Sequence, residues 1–180
     1  MLRLVFSLSL FILPCAAIAQ DMSLVVEAGV DKERIDDAFT LDSFGCTGAN
    51  RSPAVQWTKG PDGTRSYALT VFDPDAPTGS GWWHWTVFNI PSDNLSLPEG
   101  ASGSDSLNKE AIEGRNDFGS SSYGGPCPPQ GDTHHYVFTI WALGVEKLPI
   151  DANASGAMSS FLMRQNALAS ASTTLSYTRP

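Results

Sequence analysis

Residues 66–90 read SYALTVFDPDAPTGSGWWHWTVFNI and hold two strand-like runs on either side of a proline-rich loop. In the first run, Ser66–Asp73, both alternating faces are largely apolar, which predicts a central strand covered on both sides. The second run, Trp83–Ile90, is aromatic and β-branched, a composition that favours a strand. If the two strands pair antiparallel, Asp73 at the end of one and His84 at the start of the other lie at the same end of a sheet.

Further strands are predicted along the rest of the chain. Tyr136–Leu143 is a third strong strand, and Ala54–Trp57 and Thr173–Tyr177 are weaker ones. Glycine and proline punctuate residues 89–125, which marks a long surface loop region. A helix is predicted over Ser155–Ser170, where apolar residues recur at helical spacing: Met158, Phe161, Leu162, Leu168 and Ala169. The sum is a mostly β protein, an antiparallel β-sandwich with one or two C-terminal helices.

Composition narrows the class of partner. The chain has 180 residues, enough for one domain with a substantial core, and a formal net charge of -8. Nucleic acids and anionic lipid surfaces are bound by clustered Lys and Arg, so this acidic balance argues against both as partners. Aromatic residues make up 10% of the chain, which excludes intrinsic disorder.

The N-terminus has the pattern of a secretory signal peptide. Arg3 precedes an apolar stretch over residues 4–13, and Ala17-Ile18-Ala19 matches a cleavage site. We expect cleavage after Ala19, a single mature domain over residues 20–180, and a periplasmic or secreted protein without a stable membrane anchor. Two alternatives are an uncleaved anchor, for which the stretch is short of about 20 apolar residues, and a lipid anchor on Cys15, which Pro14 disfavours.

Two cysteines remain after cleavage, Cys46 and Cys127. An oxidising compartment favours their pairing, and both lie in glycine-rich loops, so we expect one Cys46–Cys127 disulfide. The alternative is two separate buried thiols.

Acidic and imidazole side chains follow or open the predicted strands. Asp73 and Asp75 follow the first, His84 opens the second, and His134 and Tyr136 open the third on one shared face. We expect these five residues to meet at one rim of the sheet. Imidazoles beside carboxylates retain their protons more readily, so the rim would bind an anion, and a zwitterionic phosphate head group would suit the mixed charges. The alternatives are aspartates that only organise a turn and a histidine that is merely buried in the core.

The motifs as a set resemble a known family. DPDAP, WWHW and GPCPPQGDTHHY occur in this order, with FGCTGANRSPAVQW, GRNDFG and YGGPCPP between and around them. They resemble the phosphatidylethanolamine-binding protein (PEBP) family, and within it the bacterial YbhB/YbcL branch, also called Raf-kinase-inhibitor-like. The resemblance implies a large central antiparallel sheet, a smaller sheet, flanking helices and a small anion-binding cavity.

Matching the motifs position by position gives the candidate ligand-binding residues. The set is Asp73, Asp75, Pro77, Trp82, His84, Gly125, Pro129, His134 and Tyr136. The family's usual His-Arg-Tyr reads His134-His135-Tyr136 here. His135 has the opposite strand parity to His134, so we expect it to point away from the cavity.

Four functions are compatible with these residues. The first is a non-catalytic protein, with no cofactor, that binds a small anion or phosphate-bearing ligand or presents the cavity rim to a protein partner, as in kinase- or protease-inhibitor relatives. The second is a hydrolase using His84 and Asp73, which has no evident nucleophile. The third is a metal site on Asp73, His84 and His134, which lacks any metal-ligand spacing motif. The fourth is an interaction protein whose cavity is vestigial.

Overall fold

The computed structural model describes residues 21–29, 31 and 33–180. Its strands are β1 (Leu24–Glu27), β2 (Ala54–Trp57), β3 (Ser66–Asp73), β4 (Trp82–Pro91), β5 (Ser96–Leu97), β6 (Ile112–Glu113), β7 (Thr133–Leu143) and β8 (Ala167–Thr178). One α-helix, α1 (Gly156–Asn166), precedes β8, and a single 3₁₀ turn covers Asp37–Phe39. The expected mostly β fold of two antiparallel sheets is therefore confirmed, with one C-terminal helix.

The five-stranded sheet has β3 at its centre, in the order β6-β4-β3-β7-β8. All residues of β3 except Phe72 are buried, as its two apolar faces predicted. Both neighbours run antiparallel to β3, so β4 and β7 run parallel to each other. The end of β3 and the starts of β4 and β7 consequently share one edge of the sheet, which is where Asp73, His84 and His134 lie.

Each face of the large sheet is covered by a different layer. The three-stranded sheet β1-β2-β5 packs on one face, where the indole of Trp57 meets the ring of Tyr67 edge-on at 5.5 Å. Helix α1 covers the other face through Met163, which packs in a cluster with Ala68 and Phe88. Burial on both faces supplies the hydrophobic stabilisation of the sheet.

The helix differs from the sequence prediction in its end and in its buried face. The backbone of Ala167 is extended and begins β8. The helix therefore ends at Asn166, four residues before the predicted end at Ser170. Met158 and Phe161 are 52% and 57% exposed, because the helix instead buries its small residues and Met163. A Cβ at Gly156 would collide with the Trp83 indole, so a small residue is what allows this close approach.

A disulfide joins two loops beside the cavity-bearing edge. Cys46 and Cys127 are bonded, with their Cα atoms 6.0 Å apart, as expected. The loop around Cys46 is held further by hydrogen bonds from Leu41 N–H to Pro126 O and from Asn50 N–H to Thr40 O. Two segments 81 residues apart are thereby fixed against each other.

The predicted signal peptide, Met1–Ala19, lies outside the described residues. Within the part of the chain that is described, none of the helical structure has the length and apolar character needed to cross a bilayer.

Candidate functional site

A cavity of about 340 Å³ opens at the edge where β3 ends and β4 and β7 begin. Seven of the nine candidate residues line it: Asp73, Pro77, Trp82, His84, Pro129, His134 and Tyr136. The remaining lining residues are Leu41, Phe44, Ala76, Thr78, Phe118, Cys127, Pro128 and Arg179. Five segments, at residues 41–44, 73–84, 118, 127–136 and 179, thus contribute to one hollow, and prolines restrict the backbone of two of them.

Asp73 both organises the DPDAP turn and lines the cavity. Its Oδ1 accepts hydrogen bonds from the backbone N–H groups of Asp75 and Ala76, at 2.8 and 3.1 Å. Its Oδ2 accepts one from Nδ1–H of His134 at 2.7 Å. The turn-forming role and the cavity role are therefore not alternatives, because the two carboxylate oxygens serve one each.

His84 is held in its neutral form, contrary to the expectation of an imidazolium. Its Nδ1–H donates to the carbonyl oxygen of Gly124 at 2.6 Å, and its Nε2 lies 4.0 Å from Asp73 Oδ2. The ring is only 3% exposed, and this burial lowers the pKa of His84 below 6.5, outweighing the Gly124 carbonyl and the charge of Asp73. The neutral imidazole of His84 is consequently favoured at neutral pH.

Two residues that line the cavity carry neutral donors without a protein partner. Among the described residues, none accepts a hydrogen bond from Tyr136 Oη or Trp82 Nε1, although both atoms are buried. Burial raises the pKa of Tyr136, so its hydroxyl remains a donor at neutral pH. The Tyr136 ring is fixed edge-on against His84 at 5.1 Å. An oxygen-rich ligand would satisfy both donors.

Asp75 and Gly125 support the rim without lining the cavity. The Asp75 carboxylate accepts from His135 N–H at 2.8 Å and from His135 Nδ1–H at 2.7 Å, and the side-chain bond lowers the pKa of Asp75. His135 is exposed, in agreement with its parity. Gly125 donates its N–H to Asn50 Oδ1 at 2.8 Å, and a Cβ there would strike the backbone of residues 39–41.

Sequence reasoning missed an aromatic wall and one cation. The Phe118 ring lies 5.3 Å from that of Trp82 and 5.4 Å from that of His84, and Phe44 lies 6.1 Å beyond it. Phe118 belongs to the GRNDFG motif, so that signal was present in the sequence. Arg179, by contrast, stands in no motif and follows a strand that had only a weak signal.

No set of three or more His, Cys, Asp or Glu side chains in the described residues has an arrangement that could hold a metal ion. The site is therefore built from a carboxylate–imidazole pair, a neutral imidazole, two free neutral donors, one guanidinium and an aromatic wall.

Comparison with known proteins agrees with this architecture. The family model described as phosphatidylethanolamine-binding protein matches residues 28–178. The chain belongs to this family. It is 49% identical over 148 residues to the UPF0098 protein YbcL of Escherichia coli, covering 81% of each sequence. It is 43% identical over 154 residues to the UPF0098 protein YbhB of the same organism, covering 85% of this chain and 98% of YbhB.

A solved structure supports the same assignment. The crystal structure of Escherichia coli YbcL, described as a member of the mammalian PEBP family, superposes with a TM-score of 0.83 at 44% identity. The match covers 89% of this chain and all of that one. Both the family and the bacterial branch inferred from the motifs are confirmed.

Proposed function

We propose that this PEBP-family chain is a non-catalytic binding protein whose cavity takes a small anion or a phosphate-bearing head group. The observation that supports this most directly is a pair of buried donors, Tyr136 O–H and Trp82 Nε1–H, which belong to residues lining the cavity and have no acceptor among the described residues. A buried donor left unpaired costs about 1–3 kcal/mol, which an oxygen ligand would recover.

The charges suit a ligand with two poles. The Asp73 carboxylate, which is hydrogen-bonded to His134, provides a negative charge that would attract an ammonium group. The two neutral donors and Arg179 are suited to phosphate oxygens. A zwitterion such as phosphoethanolamine satisfies both, whereas a simple anion uses only one side of the cavity.

Hydrolysis is disfavoured by the state of each candidate nucleophile that lines the cavity. The Thr78 hydroxyl donates to Gly81 O at 2.6 Å, and Cys127 is in the disulfide. The raised pKa of Tyr136 opposes formation of a phenolate. Nδ1–H of His84 is directed at a backbone carbonyl. His134, whose Nδ1–H bonds the Asp73 carboxylate, has the orientation of a general base, but each hydroxyl and thiol of the described lining residues is engaged or inactive as above.

The test is calorimetric titration with O-phosphoethanolamine and inorganic phosphate. A Trp82→Phe variant keeps the ring and removes the N–H, and we expect it to weaken phosphate binding roughly 10-fold, since a bond to a charged group is worth about 1.5 kcal/mol or more. Trp57→Phe is the matched control, because Trp57 Nε1 is also buried and unpartnered among the described residues but does not line the cavity. Equal affinities in the two variants, or turnover of phosphate or carboxylic esters by the wild type, would contradict the proposal.

Because residues 1–19 have the pattern of a signal peptide, we propose that the protein binds its ligand outside the cytoplasm, either in a periplasm or after secretion. N-terminal sequencing of protein purified from its host tests this. A mature chain beginning at Gln20 is expected, and a retained Met1 would contradict it.

A further inference from the structure

We propose that Arg179 is the residue that makes the cavity select anions over neutral ligands of the same shape. The proposal rests on the function proposed above. Arg179 directly follows β8, and among the described residues lining the cavity it is the sole arginine or lysine. A guanidinium is charged at any physiological pH, so Arg179 gives a ligand a fixed positive charge there.

Backbone carbonyls hold the guanidinium in place without neutralising it. Nη1–H donates to Pro128 O at 3.2 Å and Nη2–H donates to Gly45 O at 2.8 Å. No carboxylate of the described residues lies within 4.0 Å of the group. A guanidinium has five N–H donors, so three remain after these two bonds. The group therefore keeps its charge and three unused donors, on a side chain that lines both this cavity and a smaller hollow beside the Cys46 loop.

The disulfide fixes the two carbonyls that position this group. Gly45 adjoins Cys46 and Pro128 adjoins Cys127, so the bridge holds both carbonyls at one distance from each other. The guanidinium is consequently oriented before a ligand arrives, which reduces the entropy lost on binding. A planar fork held in this way fits two oxygens of a phosphate or sulfate.

Charge selection requires such a group because the rest of the cavity does not provide it. The neutral donors of Tyr136 and Trp82 can form a hydrogen bond of the same geometry with a neutral phosphoryl or carbonyl oxygen as with an anionic oxygen. Asp73 repels anions, and the chain carries a net charge of -8. Without Arg179, no arginine or lysine of the described residues lining the cavity would offset the negative charge of Asp73.

The experiment compares inorganic phosphate and sulfate with neutral trimethyl phosphate by calorimetry. We expect Arg179→Gln to weaken phosphate and sulfate binding roughly 10- to 100-fold and to change trimethyl phosphate binding less than 3-fold, since the attraction between two full charges is lost only with the anions. Arg179→Lys keeps the charge without the fork, and we expect an intermediate loss. Arg65→Gln is the charge-matched control. Arg65 forms an exposed ion pair with Glu146, and it lies just before β3, about 25 Å along that strand from Asp73.

The outcomes separate this inference from the proposed function. If the wild type binds phosphate and Arg179→Gln binds it with the same affinity, the role of Arg179 is overturned and the proposed binding function stands. Wild-type failure to bind any of the three probes overturns both. If Arg179→Gln loses binding of phosphate, sulfate and trimethyl phosphate alike, the selectivity role is also overturned. Arg179→Lys then shows whether the fold tolerates a different side chain at this position.

Discussion

Removing the Tyr136 hydroxyl should stabilise the ligand-free protein and weaken its binding of phosphate. Tyr136 is 1% exposed, and its Oη has no hydrogen-bond partner among the described residues. Desolvating a hydroxyl without a partner costs about 1–3 kcal/mol. We therefore expect Tyr136→Phe to raise the free energy of unfolding by about 1 kcal/mol without ligand and to weaken phosphate binding roughly 10-fold.

Tyr123 is the matched control for this substitution. It is also buried, but its hydroxyl donates to Phe39 O at 2.9 Å. Tyr123→Phe leaves that carbonyl unpaired and should lower the free energy of unfolding by about 1–2 kcal/mol. Both variants delete one oxygen from a buried tyrosine, so the expected signs differ only because of the partner.

Urea denaturation of the wild type and the two variants measures the free energies, and calorimetry with phosphate measures the affinities. The reasoning would be refuted if Tyr136→Phe lost as much stability as Tyr123→Phe and still bound phosphate with the wild-type affinity. That result would mean that the Tyr136 hydroxyl has a structural partner and no ligand-binding role.

Two further effects follow from the disulfide and from His84. Replacing Cys46 and Cys127 by serine should lower the free energy of unfolding by about 4 kcal/mol, since closing an 81-residue loop is worth about 4.5 kcal/mol on chain-entropy grounds; a change below about 1 kcal/mol in urea would contradict this. Because the folded-state pKa of His84 is lowered, its contribution to stability is present above pH 6.5 and is lost as the pH falls toward the folded-state value. As the pH falls from about 7.5 to about 5.5 the wild type should lose more stability than His84→Gln, and parallel losses in the two proteins would show that His84 does not resist protonation.

The sequence predicted the parts of the fold and of the candidate site that rest on strand patterns. The two apolar faces of β3 indicated a central strand, and its antiparallel neighbours place Asp73, His84 and His134 at one edge, as the order of strands implied. Parity also predicted the outward direction of His135. These inferences succeed because alternation along a strand fixes side-chain direction independently of tertiary detail.

Properties that depend on packing were not predictable in this way. The exposure of Met158 and Phe161 follows from the close contact of α1 with Trp83, which helical spacing alone does not reveal. The neutrality of His84 follows from the depth of its burial, whereas adjacency to Asp73 suggested the opposite. Arg179 reaches the cavity through carbonyls of two distant loops, and no local pattern encodes such a contact.

The hollow is assembled from segments that meet only when the whole chain is folded, since Asp73 and His134 are 61 residues apart and the bridged cysteines are 81 apart. A compound that occupies it therefore binds the native state alone and raises the melting temperature by mass action. At 100 times its dissociation constant the gain is about 2.7 kcal/mol, or about 5–10 °C for a domain of this size. A thermal-shift screen of metabolite collections, repeated on Tyr136→Phe to discard compounds that bind elsewhere, is thus a direct route to the natural ligand.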